Sequence, residues 1–338
     1  MQVNGGMSVS QENGGSNVIV SNATVVTKYI IDGFVASINH PTGIISSVQG
    51  GELPMGGGIA LPNYLGMTAT TALTSLTASN YFALFQRIEG YRVARLAWGG
   101  ANAQPITIGF WVMATIPGHM TLAIRNTPPN RTYAVDITIN GAMTWEYKTV
   151  TIPGDTTGAW EKTTLSGIEI WLAFAAASGW NTPTPGAWAA GNFLSTAAQT
   201  NFCATANNSM FVGNLTVLPG LEAPSAARSP FIMRSFDQEL ATCMRYWEKG
   251  DEWITYYSGA GIAGIATAYG TMPFAVVKRA APTMSYNNWV YYTTADANPG
   301  VTLTLYRSTP TLLMFQATSM TNWKAWYPAG TWIADARI

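Results

Sequence analysis

Between residues 106 and 218, apolar and polar side chains alternate in one short run after another. Ile106-Thr107-Ile108-Gly109-Phe110-Trp111-Val112, Met120-Thr121-Leu122-Ala123-Ile124 and Tyr133-Ala134-Val135-Asp136-Ile137-Thr138-Ile139 all follow a period of two. That period marks strands with one buried face. Asn140-Gly141 after the third run is a strong hairpin signal. The runs 145–152, 168–174 and 209–218 complete the set. Many short strands at fairly even spacing, with no helices between them, exclude a parallel α/β sheet. The expected fold is mainly β, an antiparallel jelly-roll sandwich. No internal repeat is visible, which argues against a propeller or β-helix.

The first 80 residues are richer in Gly, Ser, Thr and Asn and more weakly patterned. Val18-Ile19-Val20 and Thr24-Val25-Val26-Thr27 read as short strands, and Tyr29-Ile30-Ile31-Asp32-Gly33-Phe34 as a strand and turn. Residues 49–58 are a loop by composition.

One segment has helical spacing. Ser235 with Gln238 has the form of a capping box, and Gly250 suits the left-handed residue that ends a helix. Phe236, Leu240, Cys243, Met244 and Trp247 share one apolar face. A lone helix over 235–249 between two β-rich regions marks a junction. The chain therefore reads as a jelly-roll domain at 1–222, a linker and helix at 223–250, and a smaller β-rich domain at 251–338. Strands are expected in the last domain at 252–257, 271–278, 284–293, 301–307 and 311–317.

Charge is scarce: 10% of the residues are Asp, Glu, Lys or Arg, and 17 acidic residues balance 17 basic ones. An average soluble domain holds about 25%. With neither a basic excess nor a basic stripe, nucleic-acid binding is not expected. No run approaches the ~20 apolar residues of a membrane span, so membrane insertion is not expected either. The surface is left to hydroxyls, amides and aromatic rings. Thirteen Trp and fifteen Tyr supply core packing and, where exposed, contact area with a polar handle. Cys203 and Cys243 are the only cysteines, too few for a disulfide scaffold, and are expected to be buried free thiols.

Catalytic patterns are mostly missing. His40 and His119 stand about eighty positions apart with no partners at zinc spacing. There is no Gly-x-Ser-x-Gly elbow, and Gly56-Gly57-Gly58 lacks the Lys-Ser/Thr of a phosphate loop. Glycan cleavage needs two carboxylates flanking the scissile bond, and Asp136, Glu146, Asp155, Glu161 and Glu169 are the candidates. Asp136 shares an alternating strand face with Ala134 and Thr138 that reads as solvated, and Glu146 is placed to pair with Lys148. Glu248, Asp251 and Glu252 cluster near the helix end, where carboxylates are usually solvated. Catalysis and a bound cofactor are not expected. The one weak metal candidate is calcium at Asp155, in the oxygen-rich loop Gly154-Asp155-Thr156-Thr157-Gly158; a plain turn held by Asp155 is the alternative.

For sugar binding the richest loop is 178–188. Trp180 and Trp188 flank Asn181 and Thr182 on a proline-stiffened segment, which suits stacking a sugar ring and bonding its hydroxyls at low ordering cost. The alternative is that both indoles fold back over the open end of the sandwich. Trp289, beside Asn287-Asn288, and Trp323, beside Asn322, are rival sites.

Several of these segments carry a resemblance. Glu239-Leu240-Ala241-x-Cys243-x-Arg245-Tyr246-x-Glu248-Lys249, residues 86–99, Gln104-Pro105-Ile106-Thr107-Ile108-Gly109-Phe110-Trp111-Val112, residues 145–160 and the close Trp332-Ile333-Ala334-Asp335-Ala336-Arg337-Ile338 resemble a family of bacteriophage tail-fibre and receptor-binding proteins. The resemblance extends over roughly residues 5–338 and carries no residue roles. It implies a virion fibre or spike with a carbohydrate-binding-module-like jelly roll and a small β-rich C-terminal domain. It also implies a homotrimer, with host surface glycan and other virion proteins as partners. Phe236, Leu240, Met244 and Trp247 would then form a short coiled-coil collar. Such fibres usually carry an N-terminal anchor, whereas jelly-roll-like sequence here begins almost at Met1; a head spike or a stalk-borne tip is one way to reconcile the two. The expected location is the virion, after synthesis without a signal peptide. A purely mechanical capsid or tail decoration protein is the alternative, and a glycan depolymerase a third.

Overall fold

The computed structural model describes residues 1–54, 60–77, 79–250, 267–293, 302–318 and 326–338. The chain divides into two compact units, Met1–Glu239 with Ile338, and Leu240–Arg337.

The first unit is built from β1 (Val18–Ile31), β2 (Phe34–Gly50), β3 (Leu53–Pro54), β4 (Ala60–Leu61), β5 (Tyr64–Ala69), β6 (Tyr81–Glu89) and β7 (Ile106–Ala114). It continues with β8 (Gly118–Arg125), β9 (Arg131–Ile139), β10 (Glu146–Ile152), β11 (Ser166–Ala176), β12 (Trp188–Ala190) and β13 (Ser209–Pro219). Eleven of these pair in the order β10-β7-β13-β5-β2-β6-β11-β8-β9-β12, with β1 alongside β2. Every pairing is antiparallel.

The 17 residues of β2 join two layers. Its first part, Phe34 to Asn39, pairs with β6, and its second, Ile45 to Gly50, pairs with β5. Gly43 lies between them, where a Cβ would come within 2.7 Å of the Phe82 ring, so the close approach admits no side chain. The back layer is β10, β7, β13, β5 and the end of β2. The front layer is the start of β2 with β6, β11, β8, β9 and β12. One core lies between them and draws on both: Phe110, Val212 and Leu65 from the back meet Phe82, Leu172 and Ile124 from the front. Burying such side chains is the main stabilising term of the sandwich, roughly 1.5–3 kcal/mol for each aliphatic or Phe side chain. The mainly β, antiparallel jelly roll read from the alternation is the observed fold.

Three local readings change. The strands expected at 18–20 and 24–27 are parts of the single strand β1, and the turn at Asp32-Gly33 joins it to β2, with Gly33 at φ 79°. The chain bends at Gly141, but Asn140-Gly141 closes no hairpin: β10 pairs with β7 in the other layer rather than with β9. The helix is shorter than its apolar spacing predicts, running Phe236–Met244, and Trp247–Gly250 forms a strand. Gly250 is therefore no helix cap. Ser235 directs its hydroxyl to the Asp237 carboxylate.

In the second unit β14 (Trp247–Gly250), β19 (Trp326–Asp335) and β16 (Thr283–Thr293) form one antiparallel sheet. β15 (Thr267–Pro273), β18 (Leu312–Thr318) and β17 (Thr302–Ser308) form another. Met272, Phe274, Leu313, Phe315, Trp332 and Ala334 make its core. Glu248, expected to be solvated, is buried: it takes the Lys278 ammonium, itself fully enclosed, and the Ala275 amide. Asp251, Glu252 and the strand expected at 252–257 lie outside the described residues. Cys203 and Cys243 are both buried, and neither is in a disulfide. No helix among the described residues is long and apolar enough to cross a membrane.

Candidate functional site

Trp180 and Trp188, read as one sugar platform, lie on opposite faces of the front layer. Trp180 packs on the outer face, edge-on to Tyr81 with centroids 5.1 Å apart, and its indole N–H donates to the Ser79 carbonyl. Trp188 opens β12 and packs on the inner side against the sandwich core. The loop between them wraps the sheet edge, so one sugar ring cannot touch both. Asn181 is half-buried between them, its backbone bridged to Ser195.

Trp188 belongs instead to a tryptophan corner. Trp98, Trp160 and Trp188 stand mutually edge-to-face, with centroids 4.6, 5.3 and 5.4 Å apart, and Tyr133 closes the group 5.5 Å from Trp188. Each indole N–H is anchored: Trp98 to the Gln104 carbonyl, Trp188 to the Pro153 carbonyl, Trp160 to Asp155 and the Thr157 carbonyl. Trp98 and Tyr133 are buried, whereas Trp160 and Trp188 remain half-buried. Edge-to-face packing and fixed N–H groups lock the two partly open rings, so little side-chain freedom is left to lose on binding.

The loop bearing Asp155 supports this corner. Arg131 grips the carboxylate with two nitrogens, at 2.6 and 2.9 Å, and Trp160 donates at 3.1 Å. Burial acts to raise the Asp155 pKa, but Arg131 and Trp160 outweigh it and hold the group below its usual range. A calcium ion at Asp155 would have to displace the guanidinium. Among the described residues no three His, Cys, Asp or Glu side chains gather as a metal site.

The outer face of the front layer, read as solvated at Asp136, is instead covered by residues 191–200. Leu194 packs on Ala123 and Ala134, Asn192 takes a bond from Arg125, and Thr196 bonds Asp136. Beneath them Phe85 and Trp171 stack 4.2 Å apart at 12°, with the Arg87 and Arg125 guanidinium groups over their rings. Glu169 joins both arginines, at 2.9 and 2.6 Å, and accepts the Trp171 N–H. This row closes the face.

A glycosidase general acid needs a raised pKa. Burial works in that direction at Glu146 and Glu169, but hydrogen bonds and neighbouring cations win at both. Lys148 pairs with Glu146 at 2.6 Å, and the Gly141 and Asn140 groups add to it, bringing Glu146 down to about 2. Glu161, bonded by Thr163, is also lowered. Of the five candidate carboxylates, these three and Asp155 are all tuned toward the ionised form.

No protein-family model matches this chain. No curated protein matches it in sequence either. Among solved structures it is similar to the enzymatically active domain of tailspike protein 4 of bacteriophage CBA120, at 8% identity and TM-score 0.31 over 64% of this chain. That match spans 21% of the tailspike domain, so the chain corresponds to about a fifth of it. A CBM4 module matches at 13% identity and TM-score 0.29, over 64% of this chain and 97% of the module. The family 11 carbohydrate-binding module of a Clostridium thermocellum cellulase matches at 11% and 0.28, over 60% and 99%.

Of the other residues singled out in the sequence, Trp323 and the side chain of Trp289 lie outside what the structure describes. Phe236 is exposed and Leu240 and Met244 half-buried on the helix, but Trp247 is buried in β14 and shares no helix face with them. Trp98, Trp160 and Tyr133 were missed as site residues. They come from three separate segments, and only the pairing of β12 with β9 and the fold of the 153–160 loop bring them to Trp188. The resemblance carried by residues 145–160 is the one sequence signal that reaches this loop.

Proposed function

We propose that this chain is a non-catalytic, glycan-binding protein of a virion fibre or spike, and that the Trp160–Trp188 corner stacks on a host surface sugar. The observation that carries the reading is two half-open indoles locked edge-to-face, with both N–H groups already satisfied. Their open area suits the apolar C–H face of a sugar ring. The lowered carboxylates support binding without cleavage. The virion role is supported by the sequence resemblance and by the low charge content.

The test is a glycan array with the purified protein, with the same spots assayed for released oligosaccharide. Retention without release, weakened at least about tenfold by Trp188→Ala in a protein that still melts cooperatively, is the expected result. Released oligosaccharide, or retention indifferent to Trp160→Ala and Trp188→Ala, overturns it.

The homotrimer is part of the proposal. Phe231, Ile232 and Phe236 are 76%, 44% and 58% exposed, a run of open apolar side chains beside the helix. Burying them between copies replaces the collar that included Trp247. Light scattering at micromolar concentration is expected to give three chain masses, and a monomer mass rejects the trimer.

A further inference from the structure

The outer face of the back layer carries a second aromatic group, built differently from the corner. Tyr64 on β5, Phe211 on β13 and Trp145 just before β10 meet with centroids 5.6, 5.7 and 6.3 Å apart. Glycines make room for two of the rings. A Cβ on Gly50, the cross-strand partner of Tyr64, would fall 2.1 Å from the Tyr64 ring, and one on Gly66, the partner of Phe211, 3.0 Å from that ring. The rings therefore lie across bare backbone, which fixes their positions on the sheet.

All three aromatics are half-buried. Neither the Tyr64 hydroxyl nor the Trp145 indole N–H has a hydrogen-bond partner among the described residues. That separates them from the corner, where every indole N–H is already bonded. Deeper on the same face, Trp111 and Tyr147 show the opposite arrangement, their polar atoms tied to Ser229 and Pro224.

Charge decides what the face can accept. Every strand residue on it is uncharged, from Tyr147 and Thr149 on β10, through Met113 on β7, to Val48 and Ser46 on β2. The charged residues of β10, Glu146 and Lys148, pair across from Val112 and Phe110 and so point to the other side. An acidic polysaccharide would bring carboxylates against aromatic surface on which no strand residue supplies a cation, at a desolvation cost. A neutral sugar meets ring faces for its C–H groups and two open polar atoms for its hydroxyls.

We propose that Tyr64, Trp145 and Phe211 form a second glycan-binding site, specific for neutral polysaccharide, on the sheet opposite the one that carries Trp188. It shares no residue with the corner and stands or falls separately from it.

The experiment is affinity electrophoresis of the full chain in gels cast with neutral polysaccharides (galactomannan, dextran, soluble β-glucan) or acidic ones (xanthan, polygalacturonate). At least one neutral gel is expected to retard the protein. Trp145→Ala, on a half-open ring ahead of the strand, is expected to weaken that retardation at least about tenfold, and Tyr64→Phe, which keeps the ring, a few-fold. Retardation only in acidic gels, in none, or indifferent to Trp145→Ala overturns the site. Loss with Trp188→Phe but not with Trp145→Ala assigns the binding to the corner and also overturns it.

Discussion

Arg125 donates to Glu169 at 2.6 Å with only 7% and 5% of the two side chains exposed, while its guanidinium carbon stands 4.2 Å above the Trp171 ring. A pair this enclosed is costly to form and more costly to halve. Replacing Glu169 leaves Arg125 and Arg87 facing each other on a buried sheet. Glu169→Gln is therefore expected to lower stability by about 3–5 kcal/mol. Arg87, a third exposed, matters less: Arg87→Ala is expected to cost under about 1 kcal/mol from the ion pair itself. Urea unfolding of both variants checks the contrast, and equal effects would contradict it.

Acid sensitivity follows from the same groups. Burial favours the neutral form of Glu169, Asp155 and Glu146, yet the cations and donors around each hold the folded pKa below the unfolded values of 4.5, 3.8 and 4.5. A depressed folded pKa gives stability that is complete above the unfolded value and is lost as pH falls through the folded one. The stability these three carboxylates supply is thus expected to be complete down to about pH 4.5 and then to be lost, with Glu146 contributing down to its folded value of about 2; burial also lowers the Met1 amino group, to about 5, and the His40 imidazole, so these two cost stability as the pH falls below their unfolded values of 8.0 and 6.5. Melting curves between pH 7 and 2.5 measure this, and Glu146→Gln should flatten the descent. A descent below about pH 4.5 that Glu146→Gln leaves unchanged would contradict it.

The strands were legible where one face is apolar and the other small or polar. β7, β8, β9, β11 and β13 appear within two or three residues of their alternating runs. β2 was not, because Phe34 to Gly50 serves two layers and its central His40-Pro41-Thr42-Gly43 obeys neither period. Asn140-Gly141 shows the limit of a local signal: it marks where the chain bends and says nothing about which layer receives the next strand. Trp247 extended the helical spacing by accident, since its apolar side chain serves a strand. The corner was half legible. Trp188 stood out beside its prolines, but its partners are set by tertiary pairing and leave no periodic trace.

Separating the two tryptophans of the 178–188 loop is a direct test of the topology. Trp180 covers Tyr81 on the outer face, so Trp180→Ala is expected to destabilise the first unit by at most about 3–5 kcal/mol while leaving glycan retention at the corner intact. Trp188→Ala is expected to reduce both. Parallel melting and array measurements on the two variants give the answer. Equal loss of retention would mean that the two indoles act on one ligand, contrary to their placement.

The second unit offers a sharper test of buried charge. Lys278 is fully enclosed, its ammonium shared between Glu248 and the Met244 carbonyl and 5.0 Å from the Phe274 ring. Burial depresses the Lys278 pKa, and Glu248 pulls it back only in part. Desolvation thus competes closely with attraction. Lys278→Met alone strands Glu248 in an apolar core and is expected to cost about 3–5 kcal/mol. Lys278→Met with Glu248→Leu removes both charges and is expected to recover most of that loss. Hydrogen exchange of the β15 and β18 amides reads the second unit separately from the first. If the double variant exchanges as fast as the single one, the pair contributes specific structure that apolar packing does not replace.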